Sequence, residues 1–319
     1  MPRLDRSMPS VNQPLVSAKP AEAQPVKAPR AAVKDAFEIK TRAKTPDGAP
    51  KAEAVQTMKL EDGRTLAWSE FGAANGKPVL FFHGMAGSLL DAKFYAAAAK
   101  KQGIRLIALD RPGYGSSTAS RPGMQAYLAD VVAFMKAQKL SSVPVMGWSG
   151  GAAFAAALAH DHPKLVSKLT LVSPFSFSSN SASLLRLRGL RASLPQLSQM
   201  SFDAITKMYS DDAAILTEPK LRAVARKTFA AGKRQGVAGL EFDIETLFAT
   251  DDYLFKNIKV PVVAWKGFSD VVIPSRLPGR NDSNPRNFDL HVLYGEDDSG
   301  HMGAVLHAND VMKSTKAPG

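Results

Sequence analysis

The sequence predicts an α/β fold: a mostly parallel central sheet flanked by helices, with an inserted helical cap. Three observations carry that expectation. Short apolar runs alternate with helix-like segments from about Val55 onward. A glycine-flanked serine, in Gly147-Trp148-Ser149-Gly150-Gly151, sits between an apolar run and an Ala-rich run. The alternation then stops from about Pro174 to Phe255 and resumes at Val260. We therefore expect residues 55–174 and 256–319 to form the core, 175–255 the helical cap, and 1–54 a tail.

The tail holds eight of the 21 prolines and almost no aromatic residue, with ten Lys or Arg against six Asp or Glu. Such composition cannot bury a core and reads as a disordered, basic Pro/Ala-rich segment. Val55 to Leu60 and Thr65 to Phe71 look like paired strands across a turn bearing Asp62-Gly63. Val79-Leu-Phe-Phe82 is a continuous apolar run suited to a strand buried on both faces. It ends in the loop His83-Gly84-Met85-Ala86-Gly87, at the strand edge where open parallel sheets bind ligands.

A helix is expected over residues 91–102, then a strand over 104–110 ending in the turn Arg111-Pro-Gly-Tyr-Gly-Ser-Ser117. Met124, Tyr127, Leu128, Val131, Val132 and Met135 mark one face of the next helix. A strand follows over 168–172. In the interruption only helix-like stretches occur, over 183–194, 202–209 and 218–231. The last strands are expected over 260–265 and 289–294, and a closing helix over 302–312.

The chain has 319 residues, 45% of them hydrophobic, enough for one large domain with an insertion. It contains no cysteine, which excludes disulfides, thiolate metal sites and a cysteine nucleophile. The formal net charge of +12 is spread along the chain. Without a basic run interleaved with aromatics, we expect no nucleic-acid partner. No apolar run reaches the length of a membrane span, and no secretory signal is evident, so the expectation is a soluble, cytoplasmic protein. Organelle targeting by the tail stays open, although Asp5, Glu22, Asp35 and Glu38 count against it.

The chemistry centres on Ser149. A strand turning sharply into a helix brings backbone segments together, which explains small residues at Gly147 and Gly151. The turn lifts the hydroxyl clear of the sheet and aims the Gly150 N–H at developing negative charge beside a helix N-terminus. A serine hydroxyl needs a histidine base and an acid to orient it. Among six histidines, His83 belongs to a loop we read as structural. His160 and His162 lie at the far end of the post-elbow helix, His291 within a strand, and His307 within the last helix. His301, in the loop Gly295-Glu-Asp-Asp-Ser-Gly-His301 after the last strand, shares the edge with Ser149.

Asp270, in the loop after the strand at 260–265, reaches the same edge and is the expected acid. Asp297 and Asp298 are its rivals. The second oxyanion donor is expected to be the Met85 N–H, paired with that of Gly150, and His83, Gly84 and Trp148 are placed at the substrate pocket.

These motifs resemble those of the α/β-hydrolases over residues 55–313. The order Ser149, Asp270, His301 matches the family's nucleophile, acid and histidine. His83-Gly-Met-Ala-Gly87 resembles its oxyanion loop, Asp110 to Ser117 the turn after the next strand, and Gly267 to Pro274 the acid loop. Two departures stand out: residues 275–288 read as a loop where the family usually has a helix, and the tail has no counterpart.

The resemblance implies a serine hydrolase, and the base expectation is a carboxylesterase- or lipase-like enzyme forming an acyl-enzyme on Ser149. Alternatives are proline iminopeptidase-like or carbon–carbon bond hydrolysis, or a hydrolase-derived receptor without turnover. Halide and epoxide cleavage are disfavoured, because relatives with those activities resemble one another in using Asp at the elbow. The expected partner is a small, apolar acyl substrate. Neither a metal cluster nor a G-x-x-x-x-G-K phosphate loop occurs, so no cofactor is expected. Oligomeric state is not legible. Substrate choice is assigned to the cap, where Leu184, Leu185, Leu187, Leu190 and Leu194 alternate with Arg186, Arg188 and Arg191, as a pocket lid or as a surface for anionic lipid.

Overall fold

The computed structural model describes residues 39–40, 53–120, 122–174, 189, 191–199, 201–206, 217–248, 257–270, 288–294 and 300–317. The strands are β1 (Ile39–Lys40), β2 (Gln56–Lys59), β3 (Thr65–Gly72), β4 (Lys77–Phe82), β5 (Ile104–Leu109), β6 (Val143–Trp148), β7 (Val166–Val172), β8 (Val262–Gly267) and β9 (Phe288–Leu293). The helices are α1 (Lys93–Lys101), α2 (Gly123–Ala137), α3 (Gly151–Asp161), α4 (Leu194–Gln199), α5 (Phe202–Thr206), α6 (Pro219–Gly232), α7 (Ala238–Phe248) and α8 (Ala308–Thr315).

The strands form one sheet in the order β1-β2-β3-β5-β4-β6-β7-β8-β9. Pairing is antiparallel from β1 through β3 to β5 and parallel from β5 to β9, the mostly parallel sheet that the sequence predicts. The chain leaves β4 for β5 on one side and later places β6 on the other. The carboxyl ends of β4 and β6 therefore flank the point where strand order reverses, and a crevice opens there.

Alternate residues of the central strands enter opposite layers. Leu80 and Phe82 of β4 join one core cluster with Tyr127, Phe154 and Phe242; Val79 and Phe81 join the other with Tyr95, Val311 and Met312. Both faces are covered, which is why these strands are apolar throughout. Small side chains let α3 lie close on the sheet: Ala152, Ala153, Ala155, Ala156, Ala157 and Ala159 are all fully buried. In α6, the Glu218 side chain caps the Leu221 N–H at 2.7 Å and Pro219 starts the helix, a favourable N-terminus.

Some boundaries differ from expectation. Ile39–Lys40, within the expected tail, pair with Met58 and Thr57, so the sheet begins before Val55. The strand expected over 260–265 runs over 262–267, because pairing with β7 and β9 starts at Val262. The helix expected from residue 91 is preceded by a 3-10 turn over Leu89–Ala92, capped by the Ser88 hydroxyl. The closing helix divides into a 3-10 turn at Gly303–Val305 and α8, with His307 at the N-terminus of α8.

Between β7 and β8 the described elements are helical: α4, α5, α6 and α7. Most of the expected tail, residues 275–287 of the expected loop, Asp297, Asp298, and Leu184, Leu185, Leu187, Leu190, Arg186 and Arg188 of the expected lid lie outside the described residues. Among the described residues, no helix is long and apolar enough to cross a membrane.

Candidate active site

Ser149 stands between β6 and α3 with φ +52°, a left-handed conformation that costs a residue with a Cβ about 1–2 kcal/mol. The neighbouring glycines show what allows the turn. A Cβ on Gly147 would come 2.6 Å from Ala152 Cα, and one on Gly151 would run into the carbonyl oxygens of Phe82 and His83. Helix α3 thus sits against the end of β4 at backbone distance, and the Ser149 N–H is held by Val172 O at 2.8 Å.

His301 Nε2 lies 3.0 Å from Ser149 Oγ, and His301 Nδ1 lies 2.9 Å from Asp270 Oδ2. The three residues come from the loops after β6, β8 and β9 and are all buried. With Nδ1 donating to the carboxylate, Nε2 presents a lone pair to the Ser149 hydroxyl, the tautomer a general base requires. The other histidines stand apart from Ser149: His160 pairs with Asp161, His291 stacks on Trp265 at 4.1 Å between centroids, and His307 opens α8. A contact that the sequence does not reveal steadies His301: the Ser173 hydroxyl donates to its carbonyl oxygen at 2.6 Å.

The loop after β4 lies against the elbow; a Cβ on Gly84 would be 3.6 Å from Ser149 Cβ. Its conformation is set from beneath. His83 Nδ1 donates to Gly84 O at 2.7 Å, and His83 Nε2 accepts the Arg111 N–H at 3.3 Å. Arg111 Nη2 also donates to Gly84 O, at 3.2 Å, and Nη1 donates to His83 O. Gly84 O and the Met85 N–H belong to one planar trans peptide, so anchoring the carbonyl inward turns the N–H the opposite way. Among the described residues, neither the Met85 N–H nor the Gly150 N–H has a hydrogen-bond partner.

Burial, with Arg111 adding to it, holds His83 well below the usual histidine pKa, so the ring is neutral. It is fully buried and does not line the pocket, which corrects its placement there: its ring sits under the loop, edge-on to Tyr114 at 4.7 Å. Arg111 is itself fully buried and forms a two-pronged pair with Asp243 of α7, at 2.7 and 2.6 Å. The Tyr114 hydroxyl joins Asp243 at 2.8 Å, and the guanidinium lies over the Phe154 ring. The turn Arg111 to Ser117 therefore braces the loop.

A pocket of about 100 Å³ opens at Ser149. Gly84, Met85, Trp148 and His301 line it, and Phe94, Phe202, Phe229 and Met302 add apolar side chains. Phe202 and Phe229 come from α5 and α6, so helices between β7 and β8 complete it. Asp91 also lines the pocket; nothing in its sequence surroundings marks it. No group of three or more potential metal ligands occurs among the described residues.

Comparison with known proteins agrees with this architecture. Residues 77–204 match the family model for the alpha/beta hydrolase fold. The chain is 28% identical over 272 residues to the dihydrolipoyllysine-residue acetyltransferase component of the acetoin cleaving system of Cupriavidus necator, covering 82% of this chain and 68% of that protein. It is 35% identical over 120 residues to a non-heme chloroperoxidase of Streptomyces lividans, covering 37% of this chain and 44% of the relative. The esterase EaEST from Exiguobacterium antarcticum superposes with a TM-score of 0.67 at 19% identity, covering 81% of this chain and 96% of that structure. The sheet order, the elbow and the family match over residues 77–204 together support the α/β-hydrolase superfamily and show its fold in this chain.

Proposed function

We propose that the protein is a serine hydrolase that cleaves a carboxylic ester or related acyl bond through an acyl-enzyme on Ser149. One observation carries this reading: the unbroken hydrogen-bonded chain from Asp270 Oδ2 through His301 to Ser149 Oγ, at a strained turn facing an apolar pocket. Ser149 Oγ attacks the carbonyl carbon as its proton passes to His301 Nε2. The former carbonyl oxygen takes negative charge between the N–H groups of Met85 and Gly150, where each donor lowers the barrier by about 3 kcal/mol.

Collapse expels the leaving alcohol, which takes the proton from His301. Water then enters by the same route: His301 accepts its proton, the hydroxide adds to the acyl carbon, and Ser149 departs with the proton returned. Asp270 keeps Nδ1 protonated and stabilises the imidazolium formed in each half. The helices between β7 and β8 act as the cap, and the aromatic wall from Phe94, Trp148, Phe202 and Phe229 favours an apolar acyl group.

The test is covalent. Wild type incubated with a fluorophosphonate probe, and with short and medium p-nitrophenyl esters, should label and turn over, and Ser149→Ala should do neither. A folded wild type that fails to label would favour a receptor that keeps the pocket without turnover.

A further inference from the structure

Asp91 is a buried carboxylate in the pocket wall that the acyl-transfer steps leave unused. It sits in the 3-10 turn Leu89–Ala92, directly after the loop that carries Met85, and is 3% exposed. Its two oxygens face different elements. Oδ2 accepts the Gly84 N–H at 2.8 Å, and Oδ1 accepts the hydroxyl of Thr228, on α6, at 2.6 Å.

Thr228 is buried too, and its oxygen is fully used. With its proton given to Asp91, Oγ1 accepts the Ser88 N–H at 3.0 Å and the Ser88 hydroxyl at 3.0 Å, while Ser88 Oγ accepts from the Leu90 N–H at 3.2 Å. Every member of this buried network has a partner, which rigidifies it. One turn further along α6, a Cβ on Gly232 would run into the carbonyl oxygens of Ala86 and Gly87. The helix is thus seated on residues 84–88 at backbone distance as well as through Thr228.

We propose that Asp91 and Thr228 are positioning residues that lock Gly84, whose carbonyl shares a peptide with the Met85 N–H, to α6, so that the oxyanion site is complete only while this helix from the insertion is seated. The proposal rests on the reading of the Met85 N–H as an oxyanion donor. Arg111 and His83 hold the carbonyl of Gly84 and Asp91 holds its N–H, so the residue before the donor is pinned at both ends. Losing Thr228 releases one end of that arrangement from the helix that covers the pocket.

The lock is also titratable. Burial pushes the Asp91 carboxyl up to about 7, against the pull of Thr228, the Gly84 N–H and Arg111, with Asp110 adding a smaller upward push. Among the described residues, the buried Tyr95 hydroxyl also feels the Asp91 charge. As pH rises through that range the carboxylate gains its charge and both hydrogen bonds become charge-assisted.

The experiment compares full-length wild type, Thr228→Val, Thr228→Ser, Asp91→Asn and the double variant Thr228→Val/Asp91→Asn in p-nitrophenyl ester turnover across pH, and in amide hydrogen exchange of residues 84–88. Val and Asn should each lower kcat about tenfold with KM little changed, as expected for a misaimed donor. Ser should recover most of the loss, and the double variant should be no worse than either single one. The ratio of wild-type to Asp91→Asn kcat should rise as pH passes upward through about 7. Exchange at residues 84–88 should speed up in Thr228→Val even if turnover is absent. A folded Thr228→Val with wild-type kcat and unchanged exchange would overturn the lock. A wild type that neither labels nor turns over would instead sink the hydrolase reading, and the exchange data would then judge the fastening alone.

Discussion

The Ser173 hydroxyl donates to the main-chain oxygen of His301 at 2.6 Å, while the Ser173 N–H donates to Trp265 O at 2.8 Å. One residue at the end of β7 thus ties the histidine loop to β8, and it adopts φ +43° to do so. Ser173→Ala should lower stability by about 1 kcal/mol in denaturant unfolding, because a buried carbonyl loses its donor. It should also slow ester turnover by roughly tenfold through a loosened His301. A variant that loses stability but keeps kcat would show that His301 needs no such support.

The elbow gives a prediction in which activity and stability part company. Ser149→Ala and Ser149→Gly should both lose turnover by roughly 10⁴-fold or more, since each removes the nucleophile. Glycine accepts φ +52° freely and alanine does not, so Ser149→Gly should be the more stable of the two by about 1 kcal/mol. Equal midpoints in urea would mean that the turn relaxes when the hydroxyl is gone.

The buried Arg111–Asp243 pair joins the turn after β5 to α7. Asp243→Asn or Arg111→Met alone should cost about 3–5 kcal/mol, because the remaining charge has no exit to water. The double variant Arg111→Met/Asp243→Leu should recover part of that stability. It should not recover turnover, since the Gly84 and His83 carbonyls still lack the guanidinium. Calorimetry and ester kinetics on the three variants separate the two effects.

Asp91 and Asp110 set a pH dependence of stability. Burial raises their carboxyls from an ordinary 3.8 to about 7 and about 6, respectively. Between those values the folded state holds protons that the unfolded chain has lost. Their contribution is therefore fully favourable below about 3.8 and is lost as pH rises through the folded values. Asp110→Asn and Asp91→Asn should thus gain stability relative to wild type as pH is raised, read as a Tm difference that moves upward from about pH 5 to about pH 8. A difference that stays flat would mean that these groups ionise as freely in the fold as outside it.

Gly151→Ala tests the close approach that the elbow demands. The added methyl meets Phe82 O and His83 O, which belong to backbone and cannot swing away. A loss of about 1–3 kcal/mol is expected, together with slower turnover, because the ends of β4 and β6 must separate. Unchanged unfolding and kinetics would show that α3 can shift along the sheet.

Much of the fold was legible because its signals are local. The strand β4 is apolar at every position from Val79 to Phe82, since both faces are covered, and the helix face from Met124 to Met135 repeats at helical spacing. Strand ends near residues 260 and 289 slipped by one or two positions, because pairing with neighbours decides where a ladder begins and composition does not. Placing His83 in the pocket failed for a related reason. A loop residue at the ligand edge can point either way, and hydrogen bonds to Gly84 O and the Arg111 N–H take this ring downward.

The sequence by itself determined the elbow, since an apolar run, spaced glycines and an Ala-rich run all lie within a few residues of Ser149. It also nominated His301 and Asp270, which follow strands at the same edge; the tertiary structure brings the three into hydrogen-bond reach. Only tertiary structure decided what supports them. Asp91 meets Thr228 across 137 positions, Arg111 meets Asp243 across 132, and Ser173 meets His301 across 128. Contacts over such separations leave no periodicity in the chain. They form because the sheet reverses its strand order between β4 and β6, which gathers loops from distant strands around one crevice.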